Sequence, residues 1–189
     1  MSKHHLTSAA IPIALALAAL TAPRGFLAAQ KDAAVAPAPA LDDATIVAIF
    51  DNANGFDIET GKLAVKRGYS NEVRQFGAML ARDHDMVRQQ GRDLARKLGV
   101  TPTPPAGDQS GRDQAATLHR LSGLRGAEFD RAFLQHEAAF HKEVIAAIQS
   151  TLLPAIKNEE LKALVVKVAP AFQAHLVMAE NLGKRLATR

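Results

Sequence analysis

Residues Val73–Leu98 read VRQFGAMLARDHDMVRQQGRDLARKL. Val73, Phe76, Leu80, Val87, Gly91, Leu94 and Leu98 recur at three- and four-residue steps, the spacing of the buried stripe on an amphipathic helix. Asp83 and His84 stand where that stripe should continue with an apolar residue. A carboxylate and an imidazole in a packed core are costly unless something pairs with them. The rest of the chain is therefore read for what stands opposite.

Working outward, three more segments carry the helical period. A first helix is expected from Asp42 or Asp43, either of which can cap it. Its stripe is read as Ile46, Ile49, Phe50, Ala53, Phe56, Thr60 and Leu63, with Glu59 on the same face. Gly68 and Ser70 end this helix and cap the helix already quoted. After Gly99, the run from Thr101 to Gly111 holds three prolines and two glycines, a surface connection. A short helix over Asp113 to Leu124 completes a long crossover of the kind some four-helix bundles have.

The third long helix is expected from Gly126–Glu128, with Phe129, Phe133, Phe140, Val144 and Ile148 as its stripe, His136-Glu137 inside it and Pro154 closing it. Asn158 can cap the fourth helix, which Leu161, Leu164, Val168, Phe172, His175, Ala179, Leu182 and Leu186 carry to near the C-terminus. Pro170 interrupts it, either as a kink that serves packing or as one that aims His175. No stretch sustains the two-residue alternation of a strand, so the fold class is all-α: an antiparallel four-helix bundle over residues 42–187.

Composition agrees. The 189 residues are 48% apolar with eight Phe, one Tyr and no Trp, a core of Ala, Leu, Val and Ile that suits packed helices. The absence of Cys excludes disulfides, thiolate metal sites and a cysteine nucleophile. The formal charge is +4, with its charges interspersed and no basic run interleaved with aromatics, which argues against nucleic acid as a partner. At the N-terminus, Lys3 precedes the Ala/Leu/Ile run Ala9–Ala22. This reads as a secretory signal over residues 1–29, cut after Ala29, and residues 30–41 as an Ala/Pro-rich disordered linker. The run is shorter than the ~20 residues of a spanning helix, which disfavours an uncleaved anchor. No later segment is read as a membrane span. The mature chain, nearer +2 without Lys3 and Arg24, is thus expected in the periplasm, with any homo-oligomer or envelope protein partner unidentified.

Each long helix carries polar groups on or beside its stripe: Glu59, Asp83 with His84, His136 with Glu137, and His175. Carboxylates and imidazoles are ligands for iron, manganese, zinc or copper, and bundle cores commonly house such sites. Measured from the turn near Ala155–Lys157, His136 and His175 stand at one height. From the turn near Tyr69, Glu59 and His84 are offset by roughly 7 Å. His136 with His175 is therefore the leading pair, with His84 as a third ligand and Glu137 as a fourth, and Asp83 or Glu59 orienting an imidazole. The alternative is a metal-free network in which carboxylates accept from the histidines and fix helix register. A bis-histidine haem site is a more remote possibility. Met178 and Met86 near the histidines point to copper if their thioethers are ligands, or to core filling if not. His141 is placed on the helix flank and His119 in the crossover, both solvated.

The segments Phe76–His84 (FGAMLARDH), Glu128–Glu137 (EFDRAFLQHE) and Pro170–His175 (PAFQAH) resemble the three hallmarks of the exported bacterial family called domain of unknown function 4142. The resemblance spans about residues 43 to 187 and implies a ferritin-like four-helix bundle in the cell envelope without an assigned activity. Di-metal proteins of the wider fold group carry Glu-x-x-His on two helices. Here Ala81 and Phe172 stand three before His84 and His175, which argues against di-iron chemistry. The function expected is a periplasmic bundle in an envelope or stress-related role, with inner His, Asp and Glu residues holding one transition metal ion. The alternative is a structural or protein-interaction bundle.

Overall fold

The computed structural model describes residues 41–188, and they are helical throughout apart from turns and the crossover. The expected leader, and the linker up to Ala40, lie outside the described residues. Five helices follow in order: α1 (Asp43–Arg67), α2 (Asn71–Leu98), α3 (Ser110–Ser122), α4 (Gly126–Ala147) and α5 (Glu159–Ala187). The caps fall where side-chain chemistry places them. Asp42 accepts from the Thr45 N–H at 2.8 Å, Ser70 from Val73 at 3.2 Å, and Asn158 from Glu160 and Leu161 at 2.9 and 3.1 Å. Gly99 stops α2 in the left-handed region, at φ 66°. α4 widens into a π turn over Ile148–Leu152 and closes in the single turn Leu153–Ala155 that carries Pro154.

α1 and α2 form one antiparallel hairpin, α4 and α5 the other, and α3 lies in the crossover between them. Two carboxylates lock the hairpins together at opposite ends. Asp43, at the start of α1, accepts from the backbone N–H groups of Lys157 and Asn158 in the α4–α5 turn, both at 2.9 Å. Asp130, near the start of α4, accepts from the backbone N–H groups of Tyr69 and Ser70 in the α1–α2 turn at 2.8 and 2.7 Å. α4 therefore starts beside the turn at which α2 starts, and α1 lies antiparallel to it. This is the ferritin-like arrangement that a long crossover produces. Asp130 is buried, so the two N–H groups it satisfies have no water to fall back on. We expect Asp130→Ala to cost about 2–3 kcal/mol, read from the urea midpoint at constant m-value. A loss under ~0.5 kcal/mol would show the clamp to be idle.

α1 and α2 approach closely at Gly61 and Gly77. A Cβ on Gly77 would lie 2.6 Å from both the Gly61 carbonyl oxygen and the Ala64 Cβ, and one on Gly61 2.6 Å from the Gly77 oxygen. Neither position has room for a side chain. The apolar core is in two parts. One holds Ile46, Phe50, Val87, Ile148, Val165 and Phe172; the other holds Ala64, Phe76, Leu80, Phe129, Phe133 and Leu182. Between them, at mid-height, lies a layer of buried polar side chains.

Contrary to the expectation that no later segment could span a bilayer, α5 is long and apolar enough to cross a membrane by length and composition. Its stripe Leu161, Val165, Val168, Phe172, His175, Ala179 and Leu182 is buried against the other helices, while Val166, Val177 and Met178 are exposed and only 28% of its apolar stretch is buried. Pro170 lies on its exposed side.

Candidate metal centre in the polar layer

The layer contains Asn54 and Asp57 from α1, His84 from α2, Glu137 and His141 from α4, and His175 from α5. All six are at most 3% exposed. One ligand-capable atom from each of His84, His141 and His175 lies within 4.8 Å of the other two, and Asp57, Glu137 and His141 form a second such group.

Two expected members stand elsewhere. Glu59 is exposed and accepts from the Gln114 side chain at 3.0 Å, tying the crossover to α1. At about 100° per residue it lies opposite Phe50 on the helix, whereas Asn54 and Asp57 lie within about 40° of it. His136 is half-buried with its ring 5.8 Å from that of Phe140, and it belongs to neither group. Counted from Phe133 in the same way, His136 turns about 60° to one side, while Glu137 and His141 turn about 40° and 80° to the other, toward Asp130 and Leu134. His141, expected to be solvated, is fully buried and takes the place assigned to His136. Asp57 and Asn54 went unread because they fall inside the stripe as polar residues. Met86 and Met178 are exposed, and the polar layer does not include them.

Hydrogen bonds fix the state of each ring. The Asn54 amide donates to the Phe50 carbonyl at 2.7 Å, so its own oxygen faces the His84 Nδ1, 3.0 Å away, and that nitrogen carries the hydrogen. Asp57 stands behind the same nitrogen at 3.4 Å. The His141 Nδ1 donates to the Glu137 carbonyl at 3.0 Å, leaving an Nε2 that is buried without a partner. The His175 Nε2 donates to an Asp83 carboxylate oxygen at 3.2 Å. In each neutral ring the remaining nitrogen is a lone pair. Two of these, the His84 Nε2 and the His175 Nδ1, face each other at 3.1 Å. Two acceptors cannot bond one another, and the pair is placed so that it could hold a cation between them.

A proton is a poor candidate. Burial pushes His84 down to about 2 and His141 down to about 3, each reinforced by the neighbouring imidazoles. Burial also lowers His175, against the pull of Asp83. Burial lowers His136 to about 4, helped by the Arg120 charge. The carboxylates move the other way. Burial and the facing Glu137 raise Asp57 well above its usual range, and burial raises Glu137 to about 7 against hydrogen bonds from Thr60 and Asp57. Ionised together, Asp57 and Glu137 have four buried oxygens and no nearby donor but the Thr60 hydroxyl, which also bonds the Phe56 and Asp57 carbonyls; a proton held between them is how two acceptors satisfy each other. Phe172 closes the layer, its ring 5.1 Å from His84 and 6.0 Å from His141.

Residues 28–182 match the model of a family described as Domain of unknown function (DUF4142). Among solved structures, the chain is similar to the crystal structure of a DUF305 fragment from Deinococcus radiodurans, with 16% identity and a TM-score of 0.66. The match covers 75% of this chain and 95% of that one. At that identity the likeness speaks for the fold alone. No curated protein matches the sequence.

Proposed function

We propose that this chain, which belongs to the DUF4142 family, is an envelope protein that holds one transition metal ion between His84, His141 and His175. The observation that carries the reading is the convergence of three imidazoles whose outward nitrogens are already committed as donors, two of them with lone pairs 3.1 Å apart. With metal–nitrogen bonds of ~2.0–2.1 Å, that separation corresponds to a nitrogen–metal–nitrogen angle of about 100°, between octahedral and tetrahedral. Three neutral imidazoles suit zinc, copper, nickel or iron better than calcium or magnesium. Asp83, Asn54 and the Glu137 carbonyl act behind the rings, holding tautomer and orientation. Asp57 and Glu137 supply negative charge beside the ion. The signal-like N-terminus, Lys3 followed by Ala9–Ala22, supports export of the bundle.

The test is elemental analysis of the protein as isolated, followed by stripping with chelator and titration with zinc. The expected result is one ion per chain, with thermal unfolding raised by the metal; at a hundredfold excess over Kd the gain is about 2.7 kcal/mol. The His84→Ala/His175→Ala variant should show neither. If the stripped wild type takes up no zinc, iron, copper or manganese and its unfolding does not shift, the layer is a metal-free polar network that fixes helix register.

A further inference from the structure

The rings and carboxylates of the cluster are sealed, and the hydrogen-bonded chain that leaves it ends at a partly exposed group. Asp83 has a side chain 23% exposed. One of its oxygens accepts from the His175 Nε2, while the other accepts from the Arg82 Nε at 2.9 Å and a terminal guanidinium nitrogen at 2.8 Å. Elsewhere Phe172 packs against His84 and His141.

An open groove of about 800 Å³ runs between α2 and α5 on the neighbouring surface, and none of Arg82, Asp83 and His175 lines it. Its walls include Met79, Pro170, Ala174 and Met178. Met79 lies one helical turn before Asp83 on the same face of α2, and Ala174 and Met178 bracket His175 on α5.

We propose that Asp83 is the inlet through which a divalent cation passes from solvent to the buried imidazoles, and that Arg82 is a charge lock on it. The inference rests on the metal-holding reading above. A cation arriving from solvent meets the outer Asp83 oxygen first and then passes beside the His175 ring to its Nδ1 lone pair, which faces the cluster. Arg82 covers that outer oxygen and repels the arriving charge. Its own side chain is 66% exposed, and exposed pairs of this kind are weak, so the guanidinium swings away readily. The lock thus governs the rate of uptake, and it is sensitive to salt.

The experiment is stopped-flow uptake of cobalt(II) by the full chain after chelator treatment, followed by the visible absorption of nitrogen-bound cobalt. Arg82→Gln should accelerate uptake about three- to tenfold at low ionic strength, and the advantage should vanish toward ~1 M salt. Arg82→Glu should accelerate it further. Lys162→Gln, which removes the same charge at the exposed start of α5, should leave the rate at the wild-type value. Normal cobalt absorption with an Arg82→Gln rate equal to wild type, or to Lys162→Gln, overturns the inlet and leaves the metal reading standing. A wild type that gives no cobalt absorption overturns both.

Discussion

The stripped, metal-free protein loses stability as the pH falls below about 6, by about 1.4–3 kcal/mol per pH unit between about 5.5 and 4.5. Below 6.5 the unfolded chain protonates its histidines. The folded chain does not, because burial lowers His84 to about 2, His141 to about 3 and His136 to about 4, with His175 lowered as well. A depressed imidazole contributes stability that is present above its unfolded pKa and lost as the pH falls. Asp57 and Glu137 act with the opposite sign. Their raised values mean that the folded chain holds two protons the unfolded chain has released. That contribution is largest at low pH, and the part due to Glu137 is lost as it ionises near 7. Three or four imidazoles against two carboxyls leave a net excess of one or two protons on the unfolded chain, hence the slope. Urea unfolding at pH 5.0 and 6.5 in the presence of chelator measures it. A flat profile, or greater stability at pH 5.0, would mean that the imidazoles are charged in the folded state. Asp57→Asn combined with Glu137→Gln removes the opposing protons and should steepen the slope by about 3 kcal/mol per unit.

The same residues show what the sequence makes legible. Helix count, caps and crossover follow from apolar period, from Asp42, Ser70 and Asn158, and from the proline-rich break after Gly99, all of which act locally. The site does not, because apolar residues mark a stripe only where the stripe is apolar. From Ile46 and Phe50, steps of four and three lead to Asn54, Asp57, Gly61 and Ala64, the face that is buried. Two of those four are polar and one has no side chain, so Ile49, Ala53 and Phe56 drew the stripe to one side and Glu59 with it. In α4, steps back from Ile148 reach Val144, His141, Glu137 and Phe133, again the buried face. Equal height with His175 favoured His136, but height does not fix rotation about the helix axis. Gly61 and Gly77 carried a signal of their own: two glycines inside long helices mark close packing, and they set the α1–α2 spacing that brings Asn54 within 3.0 Å of His84.

That rotational distinction leads to the largest effect on binding. His141→Ala removes a ligand and should weaken zinc or cobalt(II) binding by more than ~100-fold, about 2.7 kcal/mol or more. His136→Ala removes a ring of the same chemistry from the same helix, outside the cluster, and should change affinity by less than ~3-fold. Calorimetric titration of both variants, with helicity checked by circular dichroism, separates the two histidines. A loss in His136→Ala with none in His141→Ala would mean that α4 is rotated by more than a third of a turn from the arrangement described. Asn54→Leu goes deeper, since Asn54 touches no ion in this scheme. It keeps the branched shape and heavy-atom count of the side chain but releases the His84 Nδ1–H, so the ring is free to turn its lone pair outward. The expected loss is about 10–100-fold, and Asp83→Asn should cost a similar factor through His175. Should Asn54→Leu bind metal as tightly as the wild type, the committed outer nitrogens would not be what aims the lone pairs, and the cluster would lose the feature that singles it out from an ordinary buried polar network.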